Sequence, residues 1–283
     1  QNQDPGKPRN PRHGGDFTRH PPRNFGLKAH IVSADGAPVY SHSSAARING
    51  LEVWGCGSKV HVTNPFTTNG RSNSAEVIAH TQPLAAEDVL VVEFAGRFIT
   101  VTSIEQTVLD CARLFGVPRA VVTGDHALHL GVDVDSMRRM LTESPVRRGS
   151  ARARVLLDAL DARSESAGES RTRWLMTSMR LPMPDLQVEI PTPLGLFRAD
   201  FAWREFMLIL EFDGDKKYLG TQPTAEVLLA ERKRENALVE LGWQFLRIEW
   251  KDLADPARLE ARIRAALVRA GAALDGRGQL LSA

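Results

Sequence analysis

The chain has 283 residues, 36 Lys/Arg against 34 Asp/Glu, a formal charge of +2 and 42% hydrophobic residues. That is enough apolar material for one large domain or two ordinary ones, and so even a charge balance does not by itself announce nucleic-acid binding. Cys56 and Cys111 stand far apart and in no C-x-x-C pair, which excludes a disulfide scaffold and points to a reducing compartment. No stretch approaches the roughly 20 apolar residues of a membrane span, and none has a signal-peptide apolar region. The expected location is the cytoplasm, with no membrane partner. The chain begins at Gln1 without a methionine, which suggests a missing upstream piece.

Residues 1–30 hold six Lys/Arg against two Asp/Glu, several prolines, and His13, His20 and His30. Such a segment buries little apolar surface and reads as a basic, extended stretch. Globular composition starts near residue 31. SHSSAARINGLEVWG predicts a short helix ending at Gly50, and SKVHVTN a strand with Val60 and Val62 on one face. DVLVVEF and RFITVTS predict two strands joined at Ala95–Gly96. Ser103 and Gln106 form an S-x-x-Q capping box that opens a helix over SIEQTVLDCARLFG. PRAVVTGDHALHLG, VDSMRRMLTE and SARARVLLDALDAR predict three further helices. We expect an α/β (α+β) protein of two domains, 31–146 and 147–283, divided near the Pro-Val-Arg-Arg-Gly run at 145–149. The first would take its core from Val60, Val62, Val89, Val91, Phe98, Val101, Val108 and Leu109.

The second half has the order α-β-β-β-α-β-α. GESRTRWLMTSMRL predicts a helix, LQVEI a strand, and LFRADFAW and MLILEFD two strands separated only by Arg204, Glu205 and Phe206. A long helix over TAEVLLAERKRENALVELG forces a right-handed parallel crossover to the strand WQFLRIEW. PARLEARIRAALVRAG closes the chain as an amphipathic helix. The expected result is a small mixed sheet with helices on both faces.

Three carboxylates stand where this sheet should hide hydrocarbon. Glu211 and Asp213 share a face of their strand, and the short turn at 204–206 brings Asp200 close to opposite Glu211, roughly 4.5–5.5 Å away at Cβ. Like charges so close repel, and burial worsens it. Mg²⁺ or Mn²⁺ bound by Asp200, Glu211 and Asp213 removes the conflict and activates water against a phosphoryl group. The alternative is structural: a strand end with a D-G turn at Asp213–Gly214, and Asp200 paired with Arg198 or Lys217. Glu169 has two readings as well, because Ser166 to Glu169 is an S-x-x-E capping box. Arg234 lies in step with Val227, Leu238 and Leu241, which aims its fork at an acid or a phosphate; the alternative is an exposed pair with Glu231. Gln187 points inward from its short strand. His126 and His129, with Asp125, have metal-ligand spacing but no third ligand motif, so a plain helical face is the preferred reading.

The run G-E-S-x-x-R, L-Q-V, R-A-D-F, E-F-D-G-x-x-K-Y and E-x-x-R-E-x-x-L-x-x-x-G-W-x-x-L-R, over about residues 165–253, resembles the very-short-patch-repair-like branch of the PD-(D/E)XK nuclease superfamily. The resemblance implies a restriction-endonuclease-like α-β-β-β-α-β core and a Mg²⁺- or Mn²⁺-dependent endonuclease acting on DNA. Asp200 is then the first metal-binding acid, Glu211 the second, and Glu169 the extra glutamate of the preceding helix. Asp213 replaces the usual lysine, as in E-x-D variants, and Lys217 supplies a migrated cation. Lys216, Arg234 and Gln187 are then phosphate or nucleic-acid contacts. S-H-S-S-A-A-R-I-N-G-L, V-T-S-I-E-Q-T-V-L-D-C-A-R and A-V-V-T-G-D-H-A-L, within 31–145, resemble actinobacterial AbiEi-type antitoxins of type IV toxin–antitoxin systems. That likeness implies the second function, a non-catalytic DNA-binding regulator on a nuclease-like fold, with a protein partner in a toxin–antitoxin or defence system.

Overall fold

The computed structural model describes residues 25–34, 36–64, 75–214, 225–273 and 275. Lys216 and Lys217 lie outside the described residues, as does most of the basic stretch 1–30. The end of that stretch is not extended: Phe25–Ser33 form helix α1, because Leu27 and Ile31, four apart, bury one face.

Ahead of the second half lie β1 (Val39–Tyr40), α2 (His42–Ile48), β2 (Val60–Asn64), β3 (Val77–Thr81), β4 (Val89–Phe94) and β5 (Arg97–Thr102). These strands make one mixed sheet in the order β3-β2-β1-β5-β4. The β4–β5 hairpin turns at Ala95–Gly96, both at positive φ. Val60, Val62 and Val101 are buried with Leu27, Ile31 and Tyr40. Val91 and Phe98, expected in this core, are 70% and 80% exposed. They lie on the hairpin face opposite Leu90, Val92 and Ile99, and no described element covers it.

Four helices follow: α3 (Ile104–Phe115), α4 (Val117–His129), α5 (Val134–Glu143) and α6 (Ser150–Ala159). Ser103 caps α3, accepting the Gln106 N–H at 3.2 Å, but the expected capping box is only half made: the Gln106 side chain donates to Asp110 at 2.7 Å and the Ser103 N–H goes to the Asp88 carbonyl. Val108, Leu109, Val121, Val122, Met137, Leu141, Ala153 and Leu156 form one core. The chain therefore does not change packing partners at 145–149. Gly149, at φ +79, instead lets α6 fold back against Arg113 of α3, where an added Cβ would lie 2.9 Å from the Arg113 backbone.

Helix α7 (Ala167–Ser178) belongs to both halves. Ala167 and Trp174 pack on the helical core, while Leu175 and Met176 pack on the second sheet. Arg173 of α7 reaches back to Asp125 of α4 with two hydrogen bonds of 2.8 and 2.7 Å, and the pair is nearly wholly buried. Arg171 stacks on Trp54 at 3.8 Å and donates to the Pro118 carbonyl at 3.0 Å.

The second sheet holds β6 (Asp185–Thr192), β7 (Gly195–Trp203), β8 (Leu208–Phe212) and β9 (Gln244–Ile248), in that order. β8 runs antiparallel to β7 and, after the crossover helix α8 (Ala225–Glu240), parallel to β9. α7, α9 (Trp250–Leu253) and α10 (Pro256–Arg269) cover one face over Phe201, Leu208, Leu210, Leu246 and Ile248. α8 covers the other through Leu238, packed on Ile209 and Ala202. The protein is thus mixed α/β with two mixed sheets.

Candidate functional site

The last ladder pair between β7 and β8 is Phe201↔Leu210, so Asp200 and Glu211 are the next residues on the two strands. There the pleat of β6–β7 breaks. Leu186 and Phe201 pair and face the α7–α10 core, whereas Val188 and Ala199, two residues along, pair and face the α8 core. In a regular strand these residues would share a face. The residues between are Gln187 and Asp200, and Gln187 takes up the reversal at φ +52. A non-glycine residue there costs on the order of 1–3 kcal/mol and persists only where its surroundings hold it.

The surroundings are polar. Gln187 Nε2 donates to Glu169 Oε2 at 2.8 Å, and the same oxygen accepts the Glu165 N–H at 2.9 Å. Ser166 Oγ donates to Glu169 Oε1 at 2.7 Å and accepts the Glu169 N–H at 3.1 Å. Glu169 therefore caps α7 and joins the site at once, which its two carboxylate oxygens permit. Asp200 Oδ2 accepts the Phe212 N–H at 2.9 Å, which ties the acid to β8. Gly168 makes this approach possible. An added Cβ would fall 2.0 Å from Phe212 Cε1, so only glycine lets the start of α7 rest against β8.

The electrostatics carry the strain of that packing. Burial, then the Glu169 charge, push the Asp200 carboxyl up to about 7. Burial, then Asp200, push Glu211 up to about 7, against the pull of Arg247. Burial also raises Glu169. Two acids on adjacent strands are thus each only about half ionised near pH 7, one of them raised further by a third.

Among the predicted site residues the structure brings together Asp200, Glu211, Glu169 and Gln187. Asp213 lies at the end of β8, half-buried, its N–H bonded to the Ile248 carbonyl at 2.8 Å. The third acid acting on Asp200 is Glu169, not Asp213. Asp200, Glu211 and Asp213 do not draw three ligand oxygens within 4.8 Å of one another. Arg234 is exposed, and among the described side chains of α8 the buried ones are Ala237 and Leu238, so it does not aim into the site. His126 accepts the Glu52 N–H at 2.9 Å, and Asp125 is taken by Arg173, so no metal site forms there.

Arg247 is a neighbour of the acids that the sequence motifs do not mark. It pairs with Glu211 across β8–β9, at 3.5 Å from its carboxylate, and with Glu235 of α8 at 2.9 Å. Its signal was the alternation of W-Q-F-L-R on a parallel strand, which places it beside Glu211 once the register is known. Beyond it, Arg262 donates to the Arg247 carbonyl at 2.9 Å, and Arg258, Arg262 and Arg269 line a shallow cavity with Leu246.

Two proteins of Mycobacterium tuberculosis are similar to this chain, each carrying the description of an uncharacterized protein: Rv2248 of strain H37Rv and MT2308 of strain CDC 1551. Each is 36% identical over 179 residues, 62% of this chain and 64% of the relative, so the match spans less than two thirds of either relative's length. No family model and no solved structure matches. No helix among the described residues is long and apolar enough to cross a membrane.

Proposed function

We propose that the chain is a metal-dependent endonuclease of DNA phosphodiesters, with a restriction-endonuclease-like core in its second half and its place of work in the cytoplasm. The observation that supports this reading is the half-buried pair Asp200 and Glu211, both pushed to about 7 at a break in the sheet. Partly desolvated carboxylates that raise one another are what a hard divalent cation, Mg²⁺ or Mn²⁺, relieves. Asp200 and Glu211 are hard oxygen donors and would hold the ion between them, Glu169 not bringing a third ligand oxygen within 4.8 Å of both, and the ion would supply an activated water and a polarised phosphoryl oxygen. Gln187 keeps Glu169 oriented, and the Phe212 amide keeps Asp200 oriented. Arg247 holds Glu211.

Two features favour a second reading. Glu211 is already in an ion pair with Arg247, and Asp213 stands where a lysine would stabilise the developing charge. A DNA-binding regulator with a silent nuclease core would have these features. The test is cleavage of single-stranded, duplex and mismatched DNA with Mg²⁺ or Mn²⁺, wild type against Asp200→Asn, alongside binding of the same DNAs. Metal-dependent cleavage lost in the variant supports the enzyme. Binding retained by both proteins with no cleavage in any DNA form supports the regulator.

A further inference from the structure

A second polar cluster lies in the other sheet and owes nothing to the acids. His42, His61 and His80 each offer one ring nitrogen, and these three atoms lie within 4.8 Å of one another. His61 Nδ1 and His80 Nε2 are 2.9 Å apart. The rings are stacked, with centroids 3.9 Å apart for His42–His80, 5.2 Å for His61–His80 and 5.5 Å for His42–His61. Three imidazoles gathered so tightly between a sheet and two helices are uncommon packing material. We propose that His42, His61 and His80 form a three-histidine site for a late first-row divalent cation, zinc foremost, with a fourth position open to water.

The elements hold the three rings in place. In the parallel β2–β3 ladder His61 pairs with Ile78 and Thr63 with His80, so both histidines project from one face. His42 opens α2 directly after β1, and its backbone takes φ +51 to turn the ring inward. The left-handed region is rare for non-glycine residues, and histidine is among those that enter it. Ser41 Oγ lies 2.9 Å from His42 Nδ1 and accepts the Thr63 hydroxyl at 2.7 Å; with Nδ1–H donating to Ser41, Nε2 of His42 is the nitrogen free to ligate. Oriented imidazoles backed by a hydroxyl are the outer-shell pattern of metal sites. Ser44 Oγ accepts the His61 N–H at 2.8 Å, and Phe115 closes the site with an edge contact on His61 at 5.5 Å.

The chemistry selects the ion. Zinc with imidazole nitrogens at roughly 2.0–2.1 Å in a tetrahedral shell requires N···N separations of about 3.3 Å, a few tenths of an ångström beyond the present His61–His80 separation. Imidazole suits zinc, copper and nickel, whereas Mg²⁺ and Mn²⁺ prefer oxygen. Burial keeps all three rings in the neutral, ligating form, lowering His61 to about 4, His80 below its ordinary value and His42 well below it. The surrounding cations Arg47, Lys59 and Arg113 act in the same direction on the rings; the same charges oppose a bare dication, so an anionic fourth ligand such as hydroxide would have to accompany it. His80, half-buried, is the side from which an ion enters, His42 and His61 being buried.

The test uses the full chain, stripped with chelator. Co²⁺ addition should give the visible absorption of a tetrahedral nitrogen site, and Zn²⁺ should bleach it at one equivalent per chain. His61→Gln and His80→Gln should each lose at least a hundredfold in Zn²⁺ affinity, while Asp200→Asn keeps it, which separates this site from the acids. Circular dichroism establishes that the glutamine variants fold. If they do not, X-ray absorption of the zinc-loaded wild type replaces them, with three imidazole scatterers expected. A wild type without cobalt absorption or zinc binding, glutamine variants that bind as wild type does, or fewer than three imidazoles around the zinc, would each overturn the assignment.

Discussion

Asp200→Asn separates a metal-binding acid from a structural one. The wild-type carboxyl is pushed from an ordinary 3.8 to about 7, by burial first and by Glu169 second. A rise of about 3 units at roughly 1.36 kcal/mol per unit means that the charged form costs about 4 kcal/mol in the folded state. The sign follows. An acid whose folded value lies above its unfolded one stabilises the fold most below pH 4, and that contribution is lost as pH rises from about 4 to about 7. Asparagine keeps the shape and an oxygen for the Phe212 N–H, but gives up the charge-assisted part of that 2.9 Å bond, about 1–2 kcal/mol. At pH 8 without metal the variant should therefore equal wild type or exceed it by up to ~3 kcal/mol. At pH 4 the advantage should vanish.

Metal offsets or reverses the difference. A cation bound only by the native state stabilises it by about 2.7 kcal/mol at a hundredfold excess over Kd, and Asp200→Asn should gain little. Urea melts of both proteins at pH 4, 6 and 8, with chelator and then with Mn²⁺, read each arm. If the chelated variant were less stable than wild type at pH 8, and wild type ignored Mn²⁺, Asp200 would be a structural acid and the nuclease reading would fall.

Three further changes test the frame around the site. Gly168→Ala should cost about 1–3 kcal/mol by overpacking against Phe212, which Trp250 braces at 5.1 Å, and should weaken Mn²⁺ stabilisation because Glu169 is displaced; an unchanged melt would refute that contact. Arg173→Ala should cost about 3–5 kcal/mol, since it strands Asp125 as a buried charge, and Arg173→Met with Asp125→Asn should recover much of it. Asp110, buried beneath Gln82 and Gln106, is pushed by burial up to about 6, so wild type should gain about 3 kcal/mol over Asp110→Asn as pH falls from 7 to 4; a difference flat with pH in urea melts would refute the shift.

What the sequence revealed about this molecule was what short-range patterning encodes. The three-residue turn at 204–206 and the apolar alternation around it set the β7–β8 register, and the length of α8 set the parallel β8–β9 pair. Ser166 and Glu169 announced their cap. Long-range choices were not legible. Alternation gave the β4–β5 hairpin two faces but not which one the fold covers, so Val91 and Phe98 were assigned inside and lie outside. The loop at 145–149 marked a turn, yet α6 returns to the same helical core. Arg234 is one turn from buried Leu238, but that turn of α8 carries exposed residues, and helical periodicity does not say where a helix leaves its sheet. The three histidines come from separate elements joined only by tertiary pairing, which leaves no local signal.

The Glu211–Arg247 pair bears most directly on whether the acids are free to work. An arginine cannot be deprotonated out of the way, so a ligand of Glu211 must compete with it. The competition is light. Arg247 is 49% exposed, its nearer contact is with Glu235, and its 3.5 Å approach to Glu211 is a loose one. Exposed pairs of this kind contribute about 0–1 kcal/mol. Asp200 alone holds several times that in unrelieved burial and repulsion. Giving up the arginine contact therefore costs less than the relief a shared cation would bring to Asp200. Arg247, still tethered to Glu235, would remain beside Glu211 as a fixed positive charge.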